Sequence, residues 1–131
     1  MDCIFCKIIR GEIPDYIIYE DDIASVFLDI NPTTNGDSLV VPKIHYKDFR
    51  DVPDETLIHM NNIIKKLYPL YQERLHCEGL TICHNTDCAQ EIKHFHIHFI
   101  PRYPNDNTKH ISNKEILLDI KENYEKLKDI A

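Results

Sequence analysis

The chain has 131 residues, 43% hydrophobic and 28% charged, with a formal net charge of −7. That length suits one domain with a real core, and an acidic chain with scattered Lys and Arg is a poor fit to a nucleic-acid groove or an anionic membrane surface. No apolar run reaches membrane-span length, Met1-Asp2-Cys3 opens without the features of a secretory leader, and five cysteines, two of them in Cys3-x-x-Cys6, fit a reducing cytoplasm with thiols free or metal-bound.

Cys3-Ile-Phe-Cys6 is followed by the turn signal Gly11-Glu-Ile-Pro14. Tyr16–Tyr19 and Ile23–Leu28 read as short strands joined by the acidic turn Glu20-Asp21-Asp22. Asn31-Pro32 through Asn35-Gly36 is a loop by composition, and Ser38–Val41 is a third strand ended by Pro42. From about Pro53, Leu57, Met60, Ile64, Leu67, Tyr68, Tyr71 and Leu75 recur at spacings of three and four, which predicts an amphipathic helix. Pro69 inside it is expected to kink or split it. Asp48, Asp51, Asp54 and Glu55 read as a solvated helix entry. Gly79 closes the region and Leu80–Cys83 is a strand.

The next strand, within Ile92–Pro101, carries His94-Phe95-His96-Ile97-His98. Side chains alternate faces along a strand, so three imidazoles share one face, each about 7 Å from the next, while Phe95, Ile97 and Phe99 face a core. The bland alternative is a His-rich solvated strand face. Pro104–Lys109 is polar loop, Ser112-Asn-Lys-Glu115 has the form of a capping box, and Ile116, Leu117, Ile120, Tyr124 and Leu127 predict a C-terminal helix. The pattern is α+β with an antiparallel sheet, a single domain over 1–131, with its core at about 3–102 and a helical extension at about 112–130. His59, His76, His84 and His110 read as solvated or strand-end side chains, and Arg102 as a surface ion-pair partner.

Cys-x-x-Cys is half of a common zinc site, and the residues alone also leave open a metal-free thiol pair or a redox dithiol. Three alternating imidazoles could instead hold a catalytic zinc, although their spacing is wide for a single ion.

Cys3-Ile-Phe-Cys6-Lys-Ile, Ser38-Leu-Val-Val-Pro-Lys-Ile-His45 and His94-Phe-His-Ile-His98 with Phe-Ile-Pro-Arg102, in that order, resemble the histidine-triad superfamily, and most closely its Hint-like branch. The resemblance implies a five-stranded antiparallel sheet with one long helix and a C-terminal helix, pairing into a two-fold homodimer. It implies a hydrolase or nucleotidyl transferase acting at the α-phosphate of nucleoside phosphoramidates or acyl-nucleotides, with a purine nucleotide as partner. His96 would attack phosphorus and carry the nucleotide covalently. Gln90 and His98 would contact the phosphate oxygens, and Asp29, in Phe27-Leu28-Asp29-Ile30, would take the ribose hydroxyls. Leu28, Ile30, Asn85, Ala89 and Glu91 would complete the substrate site. A structural Zn²⁺, one per chain, would be held by Cys3, Cys6, His45 and His94, as in some bacterial-type members.

Two departures bear on rate. Ala89-Gln90-Glu91 stands where a Gly-Gln-Ser or Gly-Gln-Thr is common, and Gly36-Asp37 where Gly-His is common. An ionised Glu91 repels a phosphate; a protonated one can donate to a leaving amine. A nucleotide-binding module with little turnover therefore stands beside the hydrolase, as does the zinc-dependent hydrolase that the three alternating imidazoles leave open.

Overall fold

Five antiparallel strands form one sheet in the order β1-β2-β3-β5-β4. They are β1 (Ile17–Glu20), β2 (Ala24–Leu28), β3 (Ser38–Pro42), β4 (Gly79–Cys83) and β5 (Ile97–Arg102). The helices are α1 (Ile4–Ile9), α2 (Asp54–Leu75) and α3 (Ile120–Leu127). This computed structural model describes residues 3–104, 106 and 117–131. None of its helices is long and apolar enough to cross a membrane.

The sheet has two faces because its strands alternate, and each face has its own core. Val26, Leu28, Val40, Ile97 and Phe99 pack against Met60, Ile63, Ile64, Leu67 and Tyr71 of α2. Phe27, Leu39 and Val41, from the other face, pack against Phe5 and Ile8 of α1. Every residue of β2 and β3 is buried, so neither strand shows the inside–outside alternation of a one-sided sheet.

α1 was not foreseen. At six residues it is too short to be stable alone, and it is held by the burial of Phe5 and Ile8 and by Cys3, whose thiol accepts from the Cys6 amide at 3.4 Å. Pro69 does not split α2, which runs 22 residues through it. The carbonyl that Pro69 cannot bond belongs to Lys65, and both residues are exposed, so water can serve it.

The C-terminal helix is shorter than expected. α3 starts at Ile120, with the Asp119 carboxylate accepting from the Lys121 amide at 3.0 Å, while Leu117 and Leu118 precede it outside the helix. The capping-box sequence at 112–115 lies outside the described residues. Leu127 and Ile130 join the α2-side core, and Arg74 donates to the carbonyls of Lys126 and Lys128.

The strand bearing the histidines also differs from expectation. β5 begins at Ile97, so His94 and His96 precede it and only His98 lies within it. β4 ends with Cys83 opposite His98, and β3 ends at Pro42, which has no N–H to extend the ladder. Its carbonyl is used instead by the His94 ring, at 2.9 Å.

Candidate active site

A cavity of about 530 Å³ opens on the α1 side of the sheet. Its apolar wall is made by Ile4, Phe5, Ile8 and Ile13 from the N-terminal segment, facing Phe27 and Leu39 of the sheet. One end carries His96, His98, Asn85, Ala89, Glu91 and Ile92; the other carries Asp15, Asp29, Ile30 and Asn31.

His96 lines the cavity with one ring nitrogen fixed by the backbone. Its Nδ1 lies 2.8 Å from the main-chain oxygen of His94. A carbonyl only accepts, so Nδ1 carries the proton and the neutral ring keeps its lone pair on Nε2. Burial lowers the affinity of this ring for a second proton, although the bond to His94 opposes the shift. The His98 ring lies 4.9 Å away by centroids, and burial lowers its pKa as well. Phe5 meets His96 edge-on at 5.0 Å, so α1 supplies one side of the imidazole's packing.

His94 faces a different centre. Its Nε2 donates to Pro42, which leaves Nδ1 as an acceptor, 3.3 Å from the Cys3 thiol and 3.4 Å from that of Cys6. Burial pushes its pKa down to about 4. The Nδ1 of His45 lies 3.3 Å from the Cys6 sulfur, and the four ligand atoms all fall within 4.8 Å of one another. Two thiols and two imidazole lone pairs at these separations fit a tetrahedral Zn²⁺ with Zn–S of about 2.3 Å and Zn–N of about 2.0–2.1 Å.

Most of the residues expected from sequence converge here: Leu28, Asp29, Ile30, Asn85, Ala89, Glu91, His96 and His98 all line the cavity. Gln90 does not. It is buried, its side-chain amide donates to the Lys47 carbonyl at 2.5 Å, and its Oε1 has no hydrogen-bond partner among the described residues. Asp37 also stays out of the cavity. Its Oδ2 accepts from the amide and hydroxyl of Thr33 at 2.9 and 3.0 Å, which ties the 33–37 loop.

One background expectation is corrected. Asp48 is buried, not solvated; it accepts from Arg50, whose guanidinium holds the carboxyl down to about 2. His59 reaches Asp21 at 2.8 Å. Sequence reasoning missed the α1 wall and Asp15. The apolar spacing Phe5–Ile8 signalled the former; nothing local signalled the latter.

An antiparallel five-stranded sheet with an apolar cavity ending at paired imidazoles defines a histidine-triad protein. The HIT domain family matches residues 10–105, and the chain belongs to that family. It is 41% identical over 128 residues to a HIT-like protein of Methanocaldococcus jannaschii, covering 91% of this chain and 98% of that one. It is 37% identical over 102 residues to an adenosine 5′-monophosphoramidase of Saccharomyces cerevisiae, covering 76% of this chain and 62% of that one. A zinc-bound histidine-triad protein of Mycobacterium smegmatis superposes with a TM-score of 0.87 at 34% identity, covering 99% of this chain and 93% of that one.

Proposed function

We propose that the protein is a nucleotide hydrolase or nucleotidyl transferase that cleaves the bond at the α-phosphate of nucleoside phosphoramidates or acyl-nucleotides through a covalent nucleotide on His96. The observation that carries this reading is the 2.8 Å bond from His96 Nδ1 to His94, which leaves Nε2 as the nucleophilic nitrogen of a ring lining the cavity. The monophosphoramidase relative supports a purine nucleotide as ligand.

In this reading the base lies against Phe5, Ile8, Phe27 and Leu39, the ribose hydroxyls meet Asp29, and the phosphate sits over His96 and His98. The Nε2 pair forms a bond to phosphorus as the bond to the leaving group breaks with its electron pair. A leaving amine takes a proton as it departs; His98, whose ring lies 4.9 Å from that of His96, and Glu91, whose charge acts on His98, are the cavity side chains that would supply it. Water then attacks phosphorus and returns a proton to the group that protonated the amine, the P–Nε2 bond breaks with its electron pair on nitrogen, and the nucleoside monophosphate leaves with the imidazole neutral again. Two moderate steps replace a single hard one. Gln90, held on Lys47, braces the loop that carries Ala89 and Glu91 into the cavity; its role is positional.

Cys3, Cys6, His45 and His94 would hold a structural zinc, which supplies a rigid link between α1 and the segment bearing His96. The set is closed, with four protein ligands and no open position. A catalytic zinc on His94, His96 and His98 is disfavoured because both ring nitrogens of His94 are directed elsewhere. A homodimer would use the exposed edge strand β4, whose Thr81, Ile82 and Cys83 face solvent in the single chain. Sedimentation at micromolar concentration should give twice the 15.5 kDa chain mass.

The test of the reaction is acid quench of the enzyme mixed with adenosine 5′-phosphoramidate. A protein-bound nucleotide is expected in the wild type and none in His96→Ala. Tight nucleotide binding with no adduct would favour the binding-module reading, to which the Glu91 carboxylate in the cavity lends support.

A further inference from the structure

The far end of the cavity holds two carboxylates where one would suffice. The pairing of Ile17 with Phe27 and the 3.0 Å bond from the Leu28 amide to the Tyr16 carbonyl set the β1–β2 register. Carried one residue further, that register puts Asp15 directly opposite Asp29 as a non-hydrogen-bonded pair, the type whose side chains lie closer together. Both carboxylates line the cavity. Like charges facing each other across strands are destabilising, and burial together with Asp29 raises the Asp15 pKa.

Among the described residues no ion pair to either carboxylate offsets this. The Oδ1 of Asp15 accepts from the Tyr16 amide at 2.6 Å and that of Asp29 from the Asn31 amide at 2.9 Å. Among the described residues no side chain donates to the second oxygen of either. A local rule broken without internal compensation, inside a binding cavity, points to a ligand that completes it.

The position narrows the ligand. Ile17, Phe27, Leu39 and His98 form one row across the sheet. Asp15 and Asp29 lie in the row two residues along, about 7 Å from it. A nucleotide with its phosphorus at the imidazoles brings its sugar to that row before its base edge.

We propose that Asp15 is a second sugar-binding carboxylate, sharing the 2′,3′-diol with Asp29 so that each takes one hydroxyl, and that the pair makes this protein selective for ribonucleotides over deoxyribonucleotides. The inference rests on the nucleotide reading above and adds a specificity determinant to it. The same pair repels nucleotides phosphorylated on either hydroxyl.

The experiment is calorimetric titration of AMP, 2′-deoxy-AMP, 3′-deoxy-AMP and GMP into the wild type, Asp15→Ala, Asp15→Asn and Asp29→Asn. Asn at 15 keeps an acceptor for the Tyr16 amide, so it controls for folding, as do melting curves of each variant. The wild type should bind AMP at least about tenfold more tightly than either deoxynucleotide, since a hydrogen bond to a charged acceptor is lost in each. Asp15→Ala should weaken AMP by about tenfold and abolish discrimination against one deoxynucleotide, with a smaller loss for Asp15→Asn. Asp29→Asn should relax discrimination against the other. Unchanged or tighter AMP binding in Asp15→Ala, or a change confined to the GMP/AMP ratio, overturns the proposal. If Asp29→Asn weakens AMP while Asp15→Ala does not, the nucleotide reading stands and only the diol assignment falls. If the wild type binds none of the four nucleotides, the nucleotide reading itself fails and the proposal with it.

Discussion

The main-chain oxygen of His94 accepts the Nδ1 proton of His96 at 2.8 Å, while the side chain of His94 turns to the thiols of Cys3 and Cys6 at 3.3 and 3.4 Å. One residue therefore belongs to two centres: its backbone sets the tautomer of His96, and its ring completes the Cys/His cluster. Replacing the His94 ring with alanine leaves both the carbonyl and His96 in the sequence but removes the anchor that fixes where the carbonyl points. His94→Ala should slow formation of the His96 adduct by about tenfold, within the range that outer partners of a functional ligand usually command. Quenched-flow measurement of adduct formation checks this; a wild-type rate would break the link between the two centres.

Zinc should be found at one ion per chain by elemental analysis of protein purified without added metal. Binding to the folded state alone adds stability that grows with ligand concentration, by about 2.7 kcal/mol at a hundredfold excess over Kd. Chelator should therefore lower the melting temperature of the wild type and leave that of Cys3→Ser unchanged. Identical melting curves with and without chelator in the wild type would remove zinc from the site.

Phe5 is 4% exposed and meets Phe27, His94 and His96 edge-on. Truncating a buried Phe to Ala costs about 3–5 kcal/mol, and the peripheral position of α1 places this one near the lower bound. Phe5→Ala should lower stability in urea by about 3 kcal/mol and also weaken AMP, because the same ring lines the cavity. Destabilisation without a change in AMP affinity would confine Phe5 to the core.

Asp37 is 3% exposed with one oxygen unpartnered among the described residues, and burial pushes its carboxyl up to about 6 from an ordinary 3.8. A carboxyl whose folded pKa exceeds its unfolded one favours folding fully below the unfolded value and loses that contribution as pH rises through the folded one. This group should therefore cost on the order of 2–3 kcal/mol between pH 4 and pH 7. Asp37→Asn should flatten that part of the stability–pH curve relative to the wild type. Parallel curves from urea unfolding would show that Asp37 ionises freely in the folded protein.

Glu91 separates acid catalysis from simple repulsion. If it donates to the leaving group, Glu91→Gln slows substrates with an amine leaving group by roughly 10²–10⁴, and those with an acidic leaving group much less. If it only repels phosphate, Glu91→Ser raises activity and tightens AMP. The first result is expected for phosphoramidates, and paired kinetics on a phosphoramidate and an acyl-adenylate distinguish the two.

The sequence by itself determined the elements whose information is local. The period-two run Phe95-His96-Ile97-His98-Phe99 marks which side chains meet the α2-side core, and the spacing of Met60, Ile64, Leu67 and Tyr71 marks the buried stripe of α2. The Cys3-x-x-Cys6 pair, His45 and His94, and the cavity residues Asp29, Asn85, Glu91, His96 and His98, were likewise readable from motifs. What only the tertiary structure decided depends on partners distant in the chain. α1 is helical because its two buried side chains, Phe5 and Ile8, find Phe27, Leu39 and Val41. His94 leaves the ladder because Pro42 offers it a carbonyl but no N–H. Gln90 turns from the cavity because Lys47 presents an unclaimed carbonyl. Asp15 becomes a cavity residue through the register of β1 on β2, which joins it to an acid fourteen positions away. A pattern along the chain shows which face a side chain takes, and strand register then decides what stands opposite it.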